Sequence, residues 1–247
     1  MSGTTWHYGL VARWWAEFSE PGPEIDYFRR FVEDGQPALD VACGTGRLLL
    51  PYLRAGLDVD GCDISPDMLA ECRAAAEREG LSPRLYAQAM HELDLPRRYR
   101  TIFVCGGFGL GSTREQDAEA VRRFNAHLEP GGLLALDAGP PPEELEEPQE
   151  WREPRQRRRG SDGADYALVG RLVEFDGRRA TRELRAFMWR DGELVAQEQH
   201  SLTEQFYDPD ELVSLLESAA FADVEVRTRA EDGFLVYLAR RVDSAAS

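Results

Sequence analysis

Apolar positions along the chain change their spacing several times, and those changes divide it into elements. Residues 5–18 place Trp6, Tyr8, Leu10, Val11, Trp14, Trp15 and Phe18 at helical intervals, which predicts an amphipathic helix heavy in aromatic rings. Core packing and a lid over a pocket account equally well for such a stripe. Ser19-Glu20-Pro21-Gly22-Pro23 breaks the helix, a second one covers 25–32, and Asp34-Gly35-Gln36-Pro37 ends it. Strand and helix patterns then alternate: strand 38–41, helix 48–53, strand 57–64, helix 68–79 opened by Ser65-Pro66, strands 83–90 and 99–105, helix 117–128 and strand 133–136. Five strands interleaved with helices predict an α/β fold with a doubly wound, mostly parallel sheet.

The pattern changes after residue 138. Residues 139–150 are rich in proline and acid and read as a linker. Residues 151–159, 166–175, 179–190 and 194–206 alternate apolar and charged side chains, with Asp-Gly turns at 162–163, 176–177 and 191–192. These are hairpin signals, and they predict an inserted antiparallel β-sheet with one wet face. Asp208-Pro209-Asp210 opens a helix through Ala219, and strands 224–228 and 234–239 bring the main sheet to seven. The chain therefore divides into an N-terminal helical lid (1–37), a core (38–138 and 208–247) and an inserted sheet (139–207) covering the substrate side.

Composition narrows the partners. There are 29 basic residues, all arginine, against 45 acidic ones, a net charge of −16 that repels nucleic acid and anionic membranes. No apolar run reaches membrane-spanning length and Met1–Tyr8 lacks the pattern of a secretory signal, so a cytoplasmic location is expected. Cys43, Cys62, Cys72 and Cys105 form no CxxC pair, which predicts free thiols and no metal site. Arg155, Arg157, Arg158 and Arg159 read as a solvated strand face. His91 and His127 read as solvent-facing and His200 as structural or exposed, which leaves His7, on the lid helix, as the one histidine nominated for catalysis.

The chemistry centres on Asp40-Val41-Ala42-Cys43-Gly44-Thr45-Gly46, where a buried strand runs into a glycine turn and then a helix. Such a turn exposes backbone N–H groups to a closely approaching ligand. A dinucleotide fingerprint requires a third glycine at the position of Leu49, and Asp40 at the mouth repels a pyrophosphate but attracts an ammonium. A nicotinamide dehydrogenase is thereby disfavoured. Asp63, at the C-terminal end of the next strand, falls beside the turn, where a carboxylate accepts hydrogen bonds from a ribose diol.

These residues, over most of 38–137, resemble the class I S-adenosylmethionine-dependent methyltransferases. The family's E/D-x-G-x-G-x-G loop is similar to Asp40–Gly46, with Ala42 in place of the first glycine, and its L-x-P-G-G turn to Leu128-Glu129-Pro130-Gly131-Gly132. The resemblance implies a Rossmann-like methyltransferase fold and S-adenosyl-L-methionine as cofactor. It puts Asp40 and the Gly44–Gly46 backbone at the methionine end, Asp63 at the ribose and Met68 near the adenine, with Ala42, Cys43, Ile64 and Met90 also among the cofactor-binding residues. Ala89 stands where relatives often carry an acid for the adenine amino group; Cys105 ends the fourth strand at the crevice, and Tyr8 and Trp15 match aromatics that close over the methionine. The function implied is methyl transfer to a small-molecule acceptor, an amine or a hydroxyl, by in-line displacement. The alternative is a non-catalytic cofactor-binding sensor or partner protein on the same fold.

Overall fold

The computed structural model describes residues 5, 7–139 and 148–242. Trp6, most of the linker reading at 139–150 and the last residues of the core reading lie outside them. Two helices, α1 (Gly9–Phe18) and α2 (Glu24–Asp34), precede a βα series. The series runs β1 (Ala38–Val41), α3 (Leu49–Arg54), β2 (Val59–Asp63), α4 (Pro66–Arg78), β3 (Leu85–Ala87), a 3-10 turn at Met90–Glu92, β4 (Tyr99–Val104), α5 (Arg114–His127) and β5 (Leu128–Ala138). Strands β6 (Arg158–Arg159), β7 (Asp165–Phe175), β8 (Arg179–Arg190) and β9 (Glu193–Gln205) follow, then α6 (Pro209–Ser218), β10 (Phe221–Thr228) and β11 (Leu235–Arg241).

The main sheet has the order β10-β11-β5-β4-β1-β2-β3, parallel from β5 to β3, with β11 antiparallel to both β5 and β10. Its central strands are apolar on both faces because both are covered. Leu39, Val41, Ile102 and Val104 pack with Val121 and Phe124 of α5 and Leu212 and Leu216 of α6. On the other face Ala38, Phe103 and Val236 meet Phe28 and Val32 of α2, Leu49 and Tyr52 of α3 and Leu69 and Cys72 of α4. The seven-stranded, doubly wound sheet expected from the alternation is present.

The second sheet, β6-β7-β8-β9, is antiparallel and separate. Helix α1 lies on it, with Val11 buried against Leu184 and Ala186. Two amides at the start of α1 are each answered by a carboxylate: Gly9 N–H donates to Asp67 on α4 and Leu10 N–H to Glu198 on β9, both at 2.8 Å. The loop after β4 is stitched to β9 as well, Gln205 N–H donating to the Gly109 carbonyl at 2.8 Å and Gly111 N–H to that of Thr203 at 2.6 Å.

Three local readings change. Residues 128–132 are extended chain at the start of β5, because Leu128 pairs with Tyr99 and the register shifts before Leu133 pairs with Thr101. Helix α5 starts earlier than its apolar pattern, at a capping box in which Thr113 and Gln116 satisfy each other's backbone amides. Of 151–159 only Arg158–Arg159 is strand.

Candidate active site

The site begins where β1 ends. The chain reverses through residues in left-handed conformation, Ala42 (φ 58°), Gly44 (φ 55°) and Gly46 (φ 91°). An alanine there carries a cost of about 1–2 kcal/mol, which explains why a glycine suits this position. A Cβ on Gly46 would stand 2.7 Å from the Cys72 Sγ and 2.8 Å from the Leu50 Cγ, so this glycine lets the turn seat against α4 and does not line the crevice.

Parallel pairing of β1 with β2, Val41 opposite Cys62, brings Asp63 level with that turn. The Asp63 carboxylate accepts the Gly44 amide at 2.9 Å and the Ser65 amide at 2.8 Å, tying the first βα turn to the second. Burial raises its pKa above the ordinary value, and the two amides oppose the rise. Each oxygen keeps a second lone pair for a ligand hydroxyl.

Asp40 is 3% exposed, and among the described residues its Oδ2 has no hydrogen-bond partner. Burial, then the charge of Asp63, lift its pKa well above the usual carboxylate range, while the Leu49 amide works the other way. A buried, partnerless carboxylate oxygen is costly unless a ligand answers it.

Two adjoining cavities run along the C-terminal ends of the parallel strands. One is lined by Asp63, Ile64, Ala89 and Met90, and also by His91, Ser112, Gln116 and Asp117. The other is lined by Asp40, Cys43, Arg47, Cys105 and Trp15, with Arg182, Leu202 and Glu204 of the second sheet forming its outer wall. His7, Ala42, Gly44, Met68, Gly106 and Leu110 line both, so the two form one continuous crevice that meets at these residues. Of the residues singled out from the sequence, Tyr8 and Gly46 alone line neither cavity. Tyr8 is nonetheless close enough to Asp63 and Asp67 for their charges, after burial, to raise its pKa.

His7 precedes α1, and its carbonyl accepts the Ser65 hydroxyl. Its Nδ1 lies 2.7 Å from the Thr5 hydroxyl, and burial pushes the imidazole pKa down to about 4, so the ring is neutral at physiological pH. The outer wall comes from the second sheet, where Arg182 Nε donates to Glu204 at 3.3 Å. Arg47 pairs with Glu24. Among the described residues no group of three His, Cys, Asp or Glu is placed to hold a metal, and the four cysteines are free thiols.

Sequence reasoning missed Arg182 and Glu204. The signal was a charged residue on the strand face that also carries Leu184 and Ala186, legible only once that face is known to turn inward. Two histidines also differ from expectation. His91 lines the crevice and its Nε2 lies 3.1 Å from Gln116 Nε2. His127 is buried, accepting the Leu95 amide at 3.0 Å through Nε2 and pairing through Nδ1 with the Arg123 carbonyl at 2.8 Å.

Residues 38–132 match the family model of a methyltransferase domain. The dTDP-3-amino-3,4,6-trideoxy-alpha-D-glucopyranose N,N-dimethyltransferase of Streptomyces venezuelae is 29% identical over 120 residues, 48% of this chain and 49% of that protein. The dTDP-3-amino-3,6-dideoxy-alpha-D-glucopyranose N,N-dimethyltransferase of Streptomyces fradiae is 33% identical over 112 residues, 44% of this chain and 42% of its own length. The chain thus spans about half the length of the curated relatives it matches. Among solved structures, Streptomyces venezuelae DesVI has a TM-score of 0.67 at 25% identity over 90% of this chain and 89% of that one. The sugar N-methyltransferase KedS8 from Streptoalloteichus sp ATCC 53650, at 21% identity, shares the fold with a TM-score of 0.72 over 98% of this chain and 99% of its own.

Proposed function

We propose that this chain, which belongs to the class I S-adenosylmethionine-dependent methyltransferases, transfers a methyl group from S-adenosylmethionine to the amine of a small, hydroxylated acceptor. The observation that carries the reading is Asp40: a buried carboxylate oxygen without a partner, at the mouth of a glycine turn, suits the ammonium of the methionine moiety. The remaining residues fit the same molecule. Asp63 would accept the ribose hydroxyls, Ile64, Ala89 and Met90 would flank the adenine, and Gly44 leaves open a space in which a Cβ would stand 3.1 Å from the Met68 Cε.

When bound, S-adenosylmethionine supplies a methyl group on a positively charged sulfur. The chain's contribution is to align the acceptor nitrogen with that group and keep water out, which is worth several powers of ten in rate. His7, Gly106 and Leu110, common to both cavities, mark the junction where the reacting atoms would meet. A neutral His7 adds no repulsion beside the sulfonium and offers a lone pair to an N–H or O–H of the acceptor. Trp15, 39% exposed, would stack on the acceptor, while Glu204 and Arg182 would bind its polar groups. The amine is favoured over a hydroxyl because both curated relatives named above are N,N-dimethyltransferases of amino sugars.

Among the described residues no helix is long and apolar enough to cross a membrane. A cytoplasmic site of action belongs to the same proposal and rests on four free thiols, which suit a reducing compartment; cell fractionation tests it. Calorimetry with S-adenosylmethionine, S-adenosylhomocysteine and NAD, followed by labelled-methyl transfer to a panel of amino sugars, other amines and phenols, tests the function. Binding of NAD in place of the methionine compounds refutes the reading, and binding without turnover identifies a sensor.

A further inference from the structure

One buried acid beside the crevice has no part in the chemistry above. Asp137, near the end of β5, is 2% exposed and lines neither cavity. Its Oδ1 accepts the Gly106 amide at 2.5 Å, and its Oδ2 accepts the Cys105 thiol at 3.3 Å and Arg229 Nη1 at 3.2 Å. Arg229, 3% exposed in the connection between β10 and β11, is itself held by Asp232, both of whose oxygens lie 2.9 Å from its Nε.

We propose that Asp137 is a positioning residue for methyl transfer, setting the height of the Cys105-Gly106 turn that faces the reacting atoms, with Arg229 balancing its charge. The inference rests on the methyltransferase reading. Gly106 lines both cavities, where they meet, in left-handed conformation (φ 71°), its backbone open to the crevice with nothing within 4 Å of the Cβ position. The loop it begins is fixed at its far end by the main-chain bonds to β9, from Gly109 and Gly111. At its near end a single carboxylate answers both the amide and the thiol. Misplacement of about 1 Å near reacting atoms costs on the order of 100-fold in rate, so the reach of that side chain matters more than its charge.

Two variants separate reach from charge. Asp137→Asn keeps the reach and an acceptor oxygen for the Gly106 amide; Asp137→Glu keeps the charge for Arg229 but is longer by one methylene. Labelled-methyl transfer is measured on the acceptor selected from the amine panel, with thermal melts and S-adenosylhomocysteine calorimetry in parallel. The expected result is kcat within about threefold of the parent for Asp137→Asn and at least about tenfold lower for Asp137→Glu, with KM and the calorimetric Kd little changed in both. Equal kcat values in the two variants, the reverse order, or kcat values that follow the melting temperatures overturn the assignment. A parent protein that binds S-adenosylhomocysteine and methylates nothing refutes the enzyme reading and this role with it, whereas an active parent with an equally active Asp137→Glu refutes the role alone.

Discussion

Asp40→Asn isolates the charge at the base of the crevice, since the amide keeps the shape of the side chain and its contact with the Leu49 amide while removing ionisation. Two effects of opposite sign follow. In the free protein the folded-state pKa of Asp40 lies well above its ordinary value of 3.8. Between those two values the folded state binds more protons than the unfolded one, so stability falls as pH rises through that window. At neutral pH, above the ordinary carboxylate value, this upward shift is a net cost to stability, and the variant should melt higher and show a flatter stability profile on the acid side. Cofactor binding should move the other way. Loss of a charge-assisted hydrogen bond to an ammonium removes about 1.5–3 kcal/mol, a Kd about 10- to 150-fold weaker.

Calorimetry with S-adenosylhomocysteine, run in two buffers of different ionisation heat, adds an independent readout. The parent should release protons on binding at pH values within the window of Asp40, and the variant should release fewer. A variant that binds as tightly as the parent, or that melts lower at neutral pH, would refute the assignment of Asp40 to the ammonium.

Asp63→Ala should weaken the cofactor by about 1.5–3 kcal/mol, because it removes a charged acceptor together with the Gly44 and Ser65 amide bonds; unchanged affinity in the same calorimeter takes Asp63 out of the site. Ala42→Gly should raise stability by about 0.5–1 kcal/mol in urea titrations by relieving a φ of 58°, and a fall would show that the turn tolerates alanine without strain. His7 has a folded-state pKa near 4 against 6.5 unfolded, so its contribution to stability is full above pH 6.5 and is lost as pH falls toward 4. His7→Gln should therefore flatten the melting profile between those values, and a profile identical to the parent's contradicts the buried, neutral imidazole.

Much of this molecule is legible along the chain, for physical reasons. Strands β1 and β4 are buried on both faces and so read as mostly apolar runs, and Gly44 and Asp63 fall at strand ends, where parallel sheets gather ligands. Within the apolar stripe of α1, Val11 packs on the second sheet while Trp15 lines the cavity. What stayed hidden depends on distant partners. Asp137 looks like the polar end of an apolar strand until β11 brings the Arg229 connection beside it. Glu204 and Arg182 sit in strands where charge alternates throughout, and only tertiary packing says which charges turn inward. His127 appears solvent-facing in a polar stretch, yet it closes the end of α5 by bonding the Leu95 amide.

The pairing of β5 with β11 also bears on how the chain folds. Ala138 lies opposite Leu235, so β5, the edge strand of the parallel block, gains its second neighbour only after the whole second sheet and α6 have been traversed. Until then its edge is unpaired and Asp137 has no cation beside it, because Arg229 belongs to the same late segment. Closing so long a loop is slow, and an open apolar strand edge invites intermolecular pairing in the interval. During synthesis on the ribosome, β5 must therefore wait for the last two strands before its second edge is paired and Asp137 meets Arg229, which makes the β10–β11 hairpin the closing element of the main sheet.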